Sequence, residues 1–191
     1  MANLNGNMIE EYVEYLSLLY QRIPDYVYLG CLSIFVLGAV SAICTCGLSK
    51  GWRILAKLSL FEYIVLTYCS TVIYRKTNDA LKVELQPLIK ITEVIDKGGH
   101  HAYPELVMNV IVFVILGVLL GMAYDRMKWW CLLMVGGSVS LSIETMQLIF
   151  QRGTVETDDV ILNSLGCLIG IAIVSIIKRL AHCQQLYCFM K

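Results

Sequence analysis

Long apolar runs alternate with shorter polar segments along this chain. The five longest runs are residues 26–48, 54–74, 106–124, 129–150 and 160–177. A helix needs about 20 residues to cross a hydrocarbon core of about 30 Å, and the first four runs meet that length. The fifth is shorter, but Asn163 is its one strongly polar residue. The pattern predicts an all-α integral membrane bundle of about five transmembrane helices, with the termini on opposite sides.

The composition points the same way. Hydrophobic residues make up 58% of the 191 residues, charged residues make up only 16%, and the mean hydropathy is +0.68. A soluble domain of this composition would expose too much apolar surface to water. The formal net charge is zero and no basic patch is interleaved with aromatic residues. Nucleic acid is therefore excluded as a partner, and membrane lipids are the expected surroundings.

A short segment precedes the first apolar run. Its apolar residues recur at helical spacing before Pro24, which is typical of an amphipathic helix on a membrane surface. They are Ile9, Tyr12, Val13, Leu16 and Leu19. The first residues are polar and acidic rather than basic, so no cleavable signal peptide is expected. We divide the chain into an N-terminal amphipathic segment (1–25), a transmembrane domain (26–180) and a C-terminal tail (181–191).

Orientation follows from Lys and Arg near the helix ends, since cytoplasmic connections are enriched in both. One side of the membrane would carry Lys50, Arg53, Lys57, Arg126, Lys128, Lys178, Arg179 and Lys191. The other would carry Arg22, Arg75, Lys76, Lys82, Lys90, Lys97 and Arg152. The two sets are nearly equal, but Lys82, Lys90 and Lys97 lie farther from a helix end. Setting these three aside leaves four residues in the second set against eight in the first, so the first set marks the cytoplasmic side. This favours an extracytoplasmic N terminus and a cytoplasmic C terminus.

The segment 144–170, ETMQLIFQRGTVETDDVILNSLGCLIG, places ionisable and amide residues between two apolar runs. Ionisable residues at the edge of a bilayer face a bundle interior, a water-filled cavity or one another, and they often mark functional sites. With the predicted topology, the polar ends of helices two to five lie in the same leaflet. The long second connection, 76–105, would lie above them with Gln86, Pro87, His100 and His101.

Helical spacing arranges these residues into two stripes, which we expect to face each other. The stripe on the fourth helix contains Ser140, Glu144, Gln147 and Gln151, and the stripe on the fifth contains Asp159, Asn163, Gly166 and Gly170. In a purely structural interpretation, Glu144 pairs with Arg152 and the glycines form a packing groove. We favour that interpretation for the glycines alone. For Glu144, Arg152, Asp158 and Asp159 we favour a functional pocket, because a structural ion pair needs only one acid for each base. The remaining residues predict an outer-leaflet polar pocket, whose candidate substrate-binding residues are Arg75, Asn109, Glu144, Gln147, Arg152, Asp158, Asp159 and Asn163.

The order E-x-x-Q, then R, then D-D-x-x-x-N-x-x-G-x-x-x-G resembles the signature of VanZ-like membrane proteins, named for a protein associated with bacterial resistance to the glycopeptide antibiotic teicoplanin. TVIYRK, LQPLIKI and NVIVFVILG resemble earlier blocks of the family, so the resemblance covers about 71–170. The third-helix block of the family reads N-x-x-x-F-x-P-x-G. Here Ile115 replaces the proline, which predicts a weaker kink. The resemblance implies a multi-pass protein of the bacterial cell membrane that alters glycopeptide susceptibility, but it supplies no reaction.

Three functions are compatible with such a pocket. Binding requires the fewest assumptions, since Arg75 and Arg152 would each offer two donors to an oxyanion of a lipid or lipid-linked cell-wall precursor. A membrane enzyme acting on a lipid-linked substrate would use Asp158 or Asp159 beside a cation, but no spacing fixes that geometry and no catalytic residue is assigned. A small lipid or solute transporter would use Glu144, although no inverted repeat is visible. We favour binding over catalysis.

No cofactor and no metal site are expected. His100 and His101 are adjacent in a Gly-Gly-His-His loop, which is more typical of a flexible connection, and no second His follows at metal-binding spacing. Most cysteines fall in predicted helices, where free thiols behave as small apolar residues. Glu62 falls well inside the second helix without an obvious partner, and we assign it no role.

Overall fold

The computed structural model describes residues 13, 17, 21–46, 48–77, 82–84, 86–87, 92, 103–124 and 126–189. The long helices in this part of the chain are α1 (Asp25–Cys46), α2 (Leu48–Tyr68), α3 (Tyr103–Ala123), α4 (Trp129–Phe150) and α5 (Thr157–Phe189). Each is long and apolar enough to cross a membrane, so the predicted five-helix membrane bundle is confirmed. Most of the N-terminal amphipathic segment, including Ile9, Tyr12, Leu16 and Leu19, lies outside the described residues.

The apolar runs of the sequence locate the spans closely. The spanning stretches are Asp25–Thr45, Gly51–Ile73, Leu106–Ala123, Trp129–Phe150 and Thr157–Ala181. A helix satisfies its own backbone hydrogen bonds in lipid, so the apolar side chains largely decide where it spans. α5 extends well beyond the fifth run, to Phe189. No glycine or proline follows Ile177 within α5 to end the helix.

Helices α3 and α5 make the most extensive contact among the described helices. A Cβ atom added to Gly166 would overlap the carbonyl oxygen of Val110, and one added to Gly170 would overlap that of Val114. Small residues allow two backbones to touch, which favours helix association where lipid supplies no hydrophobic driving force. The glycines of the α5 stripe therefore pack against α3, although the sequence predicted that this stripe would face α4.

The apolar core lies between α2, α3, α4 and α5. Leu120 and Cys167 are almost fully buried there, and Leu132 packs into the same cluster. α1 is peripheral. It packs on α2, where its Gly38 lies against Leu58, and only 6% of the residues in its span are buried. Most of α1 therefore faces lipid.

Two three-residue strands form a parallel pair outside the helices. β1 (Lys82–Glu84) belongs to the second connection and β2 (Thr154–Glu156) to the fourth, with Val83 opposite Val155. The pairing places both connections at the same end of the bundle, as the predicted topology requires. The strands themselves were not predicted, because three residues are too few to show an alternating pattern.

The α3–α5 contact predicts a difference between two glycine substitutions. Gly170→Ala must push the two backbones apart, so it should lower the free energy of unfolding by about 1–3 kcal/mol. Thermal unfolding in detergent micelles would measure this as a lower melting temperature. Gly137→Ala in α4 is the control, because the nearest neighbour of an added Cβ there is Ser164 Oγ at 3.8 Å. Equal melting temperatures for the two variants would contradict the close packing.

Candidate functional site

The C-terminal end of α2 is irregular. Residues Cys69–Ile73 form a π-helical turn, and the Tyr74 N–H donates to the Cys69 carbonyl oxygen at 2.9 Å. A helix end leaves carbonyl groups without partners in the helix, and π-turns often occur at functional sites. The Gln147 side chain of α4 supplies one donor, since its Nε2 donates to the Thr71 carbonyl oxygen at 3.2 Å. The end of α2 is thus joined to α4.

Arg152 supplies further donors to the same helix end. Its Nη1 donates to the carbonyl oxygens of Val72 at 2.9 Å and Arg75 at 2.8 Å, and also to that of Ile73. A cation is favoured there because the carbonyl groups at a helix C terminus carry partial negative charge. Arg152 is half-buried. Its guanidinium therefore holds α2 against the connection that follows α4.

The turn after α4 places this arginine. Gln151 has φ 52° and ψ 48°, in the left-handed region, and Gly153 has φ +80°. The Arg152 N–H donates to the Gln147 carbonyl oxygen at 2.8 Å, which caps the helix. Gly153 has a second constraint, because a Cβ atom there would overlap the guanidinium of Arg75. Arg75 therefore lies directly against this connection.

Three acidic side chains are buried on α4, on β2 and at the start of α5. Glu144, Glu156 and Asp158 have exposed fractions of 4%, 7% and 3%. The Glu156 N–H donates to Glu144 Oε2 at 3.3 Å. Asp159 and Arg75 also lie within electrostatic range of the Glu144 carboxylate. Removing charges from water is costly unless they are paired or hydrogen-bonded, so the guanidinium of Arg75 is favourable beside these acids.

Amide side chains connect α3, α4 and α5. Asn109 Nδ2 on α3 donates to Asp159 Oδ1 on α5 at 2.7 Å. Asn163 Nδ2 on α5 donates to Ser140 Oγ on α4 at 2.9 Å, and both of these side chains are buried. Gln147 Oε1 and Asn163 Oδ1 are buried and accept no hydrogen bond from the residues that the structure describes. The site therefore contains two buried acceptors that the described residues leave unsatisfied.

We call this set the polar cluster. Its members are Arg75, Asn109, Ser140, Glu144, Gln147, Arg152, Glu156, Asp158, Asp159 and Asn163. The contacts described above involve seven of the eight predicted binding residues, and Asp158 is buried next to Asp159 at the start of α5. The role of all eight in binding stays a prediction. The sequence pattern predicts Ser140 in the α4 stripe but not among the candidate binding residues, and it does not indicate Glu156. The one signal for Glu156 in the sequence is its position just before α5. The N terminus of a helix favours negative charge, and Asp158 and Asp159 lie in the first turn of the same helix.

Other features of the prediction lie outside the polar cluster. Gln151 is exposed, as are Gln86 and Pro87, while His100 and His101 lie outside the described residues. Among the described residues, no three His, Cys, Asp or Glu side chains are arranged to hold a metal ion. A groove of about 380 Å³ opens on the spanning part of α4 and is lined by Met134, Val135, Ser138, Val139 and Ser142.

Glu62 is a second internal acid, away from the polar cluster. It lies in the middle of α2 beside Phe35 and Cys31 of α1. Its Oε1 is buried and accepts no hydrogen bond within the described part of the chain. Because it faces α1, it offers a comparison for substitutions of Glu144.

A family model described as VanZ/LLP1 matches residues 27–178. The chain belongs to this family. The matched region contains every member of the polar cluster and nearly all of the five spans. Searches of curated proteins and of solved structures found no further match. The resemblance to VanZ-like proteins seen in the sequence is confirmed.

This member of the VanZ/LLP1 family departs from the VanZ-like pattern at Ile115. α3 is one continuous helix, as expected without a proline. The Ile115 side chain is 43% exposed, whereas Phe113 is buried in the core. Gly117 contacts the backbone of Cys167 on α5. The substitution therefore lies on the outer face of α3 and leaves its inward face, which begins with Asn109, in place.

Removal of the Arg152 donors should destabilise the end of α2. Arg152→Met keeps most of the aliphatic stem but leaves three carbonyl groups without this donor, so we expect a loss of about 1–3 kcal/mol in the free energy of unfolding. Chemical denaturation in detergent would measure it. Arg152→Lys retains a cationic donor and should lose less. A methionine variant as stable as wild type would show that these hydrogen bonds do not stabilise the fold.

Proposed function

We propose that this protein alters susceptibility to glycopeptide antibiotics such as teicoplanin by binding a lipid or a lipid-linked cell-wall precursor at the polar cluster. The observation that carries the binding proposal is the burial of charged and amide side chains from α4, from α5 and from the connection between them, at one end of a membrane domain. Such residues are costly in a membrane protein and commonly mark a ligand or ion site. The antibiotic part rests on the VanZ-like resemblance.

Arg75 is the member best placed to bind an anionic group. It is half-buried, its guanidinium lies against Gly153, and it is within electrostatic range of Glu144. A guanidinium offers paired donors to a phosphate or carboxylate. Arg152, by contrast, directs Nη1 to backbone carbonyl groups, including that of Arg75 at 2.8 Å. We therefore assign anion binding chiefly to Arg75 and the positioning of Arg75 to Arg152.

The depth of the polar cluster favours a lipid as the ligand. The cluster lies where the span Trp129–Phe150 ends and the span Thr157–Ala181 begins. That depth corresponds to the interface between hydrocarbon and head groups. Beside the cluster, Leu141 and Ile149 of α4 are 59% and 63% exposed, so this surface suits acyl chains. A phosphate carried by a lipid would reach Arg75 without leaving the membrane.

We place the polar cluster on the extracytoplasmic side. Cations gather at the other end of the bundle, where Lys57 lies 5.3 Å from the ring centroid of Tyr124 and Lys178 donates to the Gly121 carbonyl oxygen at 2.7 Å. Lys and Arg are enriched on the cytoplasmic side of membrane proteins. This orientation puts the C terminus in the cytoplasm.

Fusions to the C terminus test the orientation. In a bacterial host, a C-terminal green fluorescent protein should fluoresce, and a C-terminal alkaline phosphatase should be inactive, because the first requires the cytoplasm and the second requires the outside. Comparable expression of both fusions is the control. The reverse pattern would place the polar cluster in the cytoplasmic leaflet and remove its access to external precursors.

Teicoplanin susceptibility of a sensitive Gram-positive host tests the function. Expression of wild type should raise the minimal inhibitory concentration severalfold. Arg75→Met and Asp159→Asn should return it to the level of the empty host, because the first loses the anion-binding donors and the second loses a cluster carboxylate. Membrane levels and melting temperatures of each variant would distinguish lost binding from lost folding.

The matched control is Arg53→Met, which removes an arginine from the opposite end of the α2 span, where it lies over the Trp52 ring at 5.6 Å. This variant should protect as wild type does. If wild type gives no protection at normal membrane levels, the proposed antibiotic role is wrong. If Arg75→Met protects fully, the polar cluster is not the working site.

A further inference from the structure

The polar cluster contains more carboxyl side chains than guanidinium groups. Its carboxyl side chains are those of Glu144, Glu156, Asp158 and Asp159, whereas its guanidinium groups are those of Arg75 and Arg152. Nη1 of Arg152 is directed at backbone carbonyl groups of α2. A ligand group that brings positive charge would therefore be favourable beside the buried Glu144 carboxylate.

The buried amide of Gln147 is an independent observation that points to the same chemistry. Only an N–H group can donate to the Thr71 carbonyl oxygen, so the orientation of this amide is fixed and Oε1 is the remaining acceptor. Gln147 is 3% exposed, and no described residue donates to Oε1. Glu144 lies three residues earlier on the same face of α4. A buried acceptor without a donor is unfavourable, so this face is suited to a group that brings N–H donors.

We propose that the polar cluster binds a primary ammonium group of a membrane lipid, with the Glu144 carboxylate and Gln147 Oε1 as its acceptors. An ammonium supplies three N–H donors and a positive charge. Arg75, which is within electrostatic range of Glu144, binds the phosphate next to the amine. The preferred ligand is then a zwitterionic phosphate head group with a free amine. This inference rests on the proposed lipid binding and adds its selectivity.

Three phospholipids with identical acyl chains separate the chemical contributions. Phosphatidylethanolamine carries a phosphate and an ammonium with N–H donors. Phosphatidylcholine carries the same charges, but its quaternary nitrogen has no N–H group. Phosphatidylglycerol carries the phosphate and hydroxyl groups without a cation. A site that uses only Arg75 would not distinguish the first two, whereas an ammonium site prefers phosphatidylethanolamine.

Native mass spectrometry of the purified full chain, titrated with each lipid, measures the preference. Wild type should bind phosphatidylethanolamine about tenfold more tightly than phosphatidylcholine, which corresponds to one hydrogen bond involving a charged group. Glu144→Gln, which is nearly isosteric, and Gln147→Leu should each lose most of this preference. Glu62→Gln is the matched control, since it neutralises an internal acid that faces α1, and it should keep the preference.

The outcomes separate this inference from the function on which it rests. If wild type binds phosphatidylethanolamine and phosphatidylcholine equally while Arg75→Met weakens both, lipid binding stands and the ammonium site is wrong. That result would mean that water alone satisfies Gln147 Oε1. If a folded Glu144→Gln variant keeps the full preference, Glu144 is not the acceptor and the inference fails. If no phospholipid binds, the ammonium site and the binding of phospholipids are both wrong, and the proposed function is restricted to a lipid-linked cell-wall precursor.

Discussion

The polar cluster depends on how the carbonyl groups at the end of α2 are satisfied. Within a membrane domain a backbone acceptor must find its donor in the protein, because hydrocarbon offers none. Gln147 and Arg152 provide these donors. Both belong to α4 or to the connection after it. The hydrogen bonds that satisfy the carbonyl groups of α2 therefore also fix the position of the acids that follow α4. The fold and the candidate site share the same hydrogen bonds.

Hydropathy predicted the helices because it is a local property of the chain. The span Trp129–Phe150 coincides with its apolar run, since the side chains themselves determine where it begins and ends. The contacts between distant segments have no such local signal. Arg152 and Val72 are 80 positions apart, and neither neighbourhood indicates that this guanidinium caps α2. From the sequence alone, Arg152 was indistinguishable from an arginine that is free to bind a ligand.

The membership of the candidate site was more predictable than its contacts. Glu144 and Asn163 stand out because polar residues are rare in apolar runs. Helical spacing placed Asp159 and Asn163 on one stripe, yet Asp159 accepts from α3 and Asn163 donates to α4, since α5 lies between those two helices. Glu156 was missed because it lies in a connection, where an acid is ordinary until β2 and the Glu144 contact bury it.

The strand pair also sets an order of assembly. β1 precedes α3 and β2 follows α4, so their pairing joins segments that two whole spans separate in the chain. During synthesis β1 must wait until both spans have inserted and returned the chain to the same side of the membrane. The Arg152 contact to α2 is subject to the same delay. A chain with one span inverted cannot close the cluster, so a closed cluster is itself evidence of correct insertion.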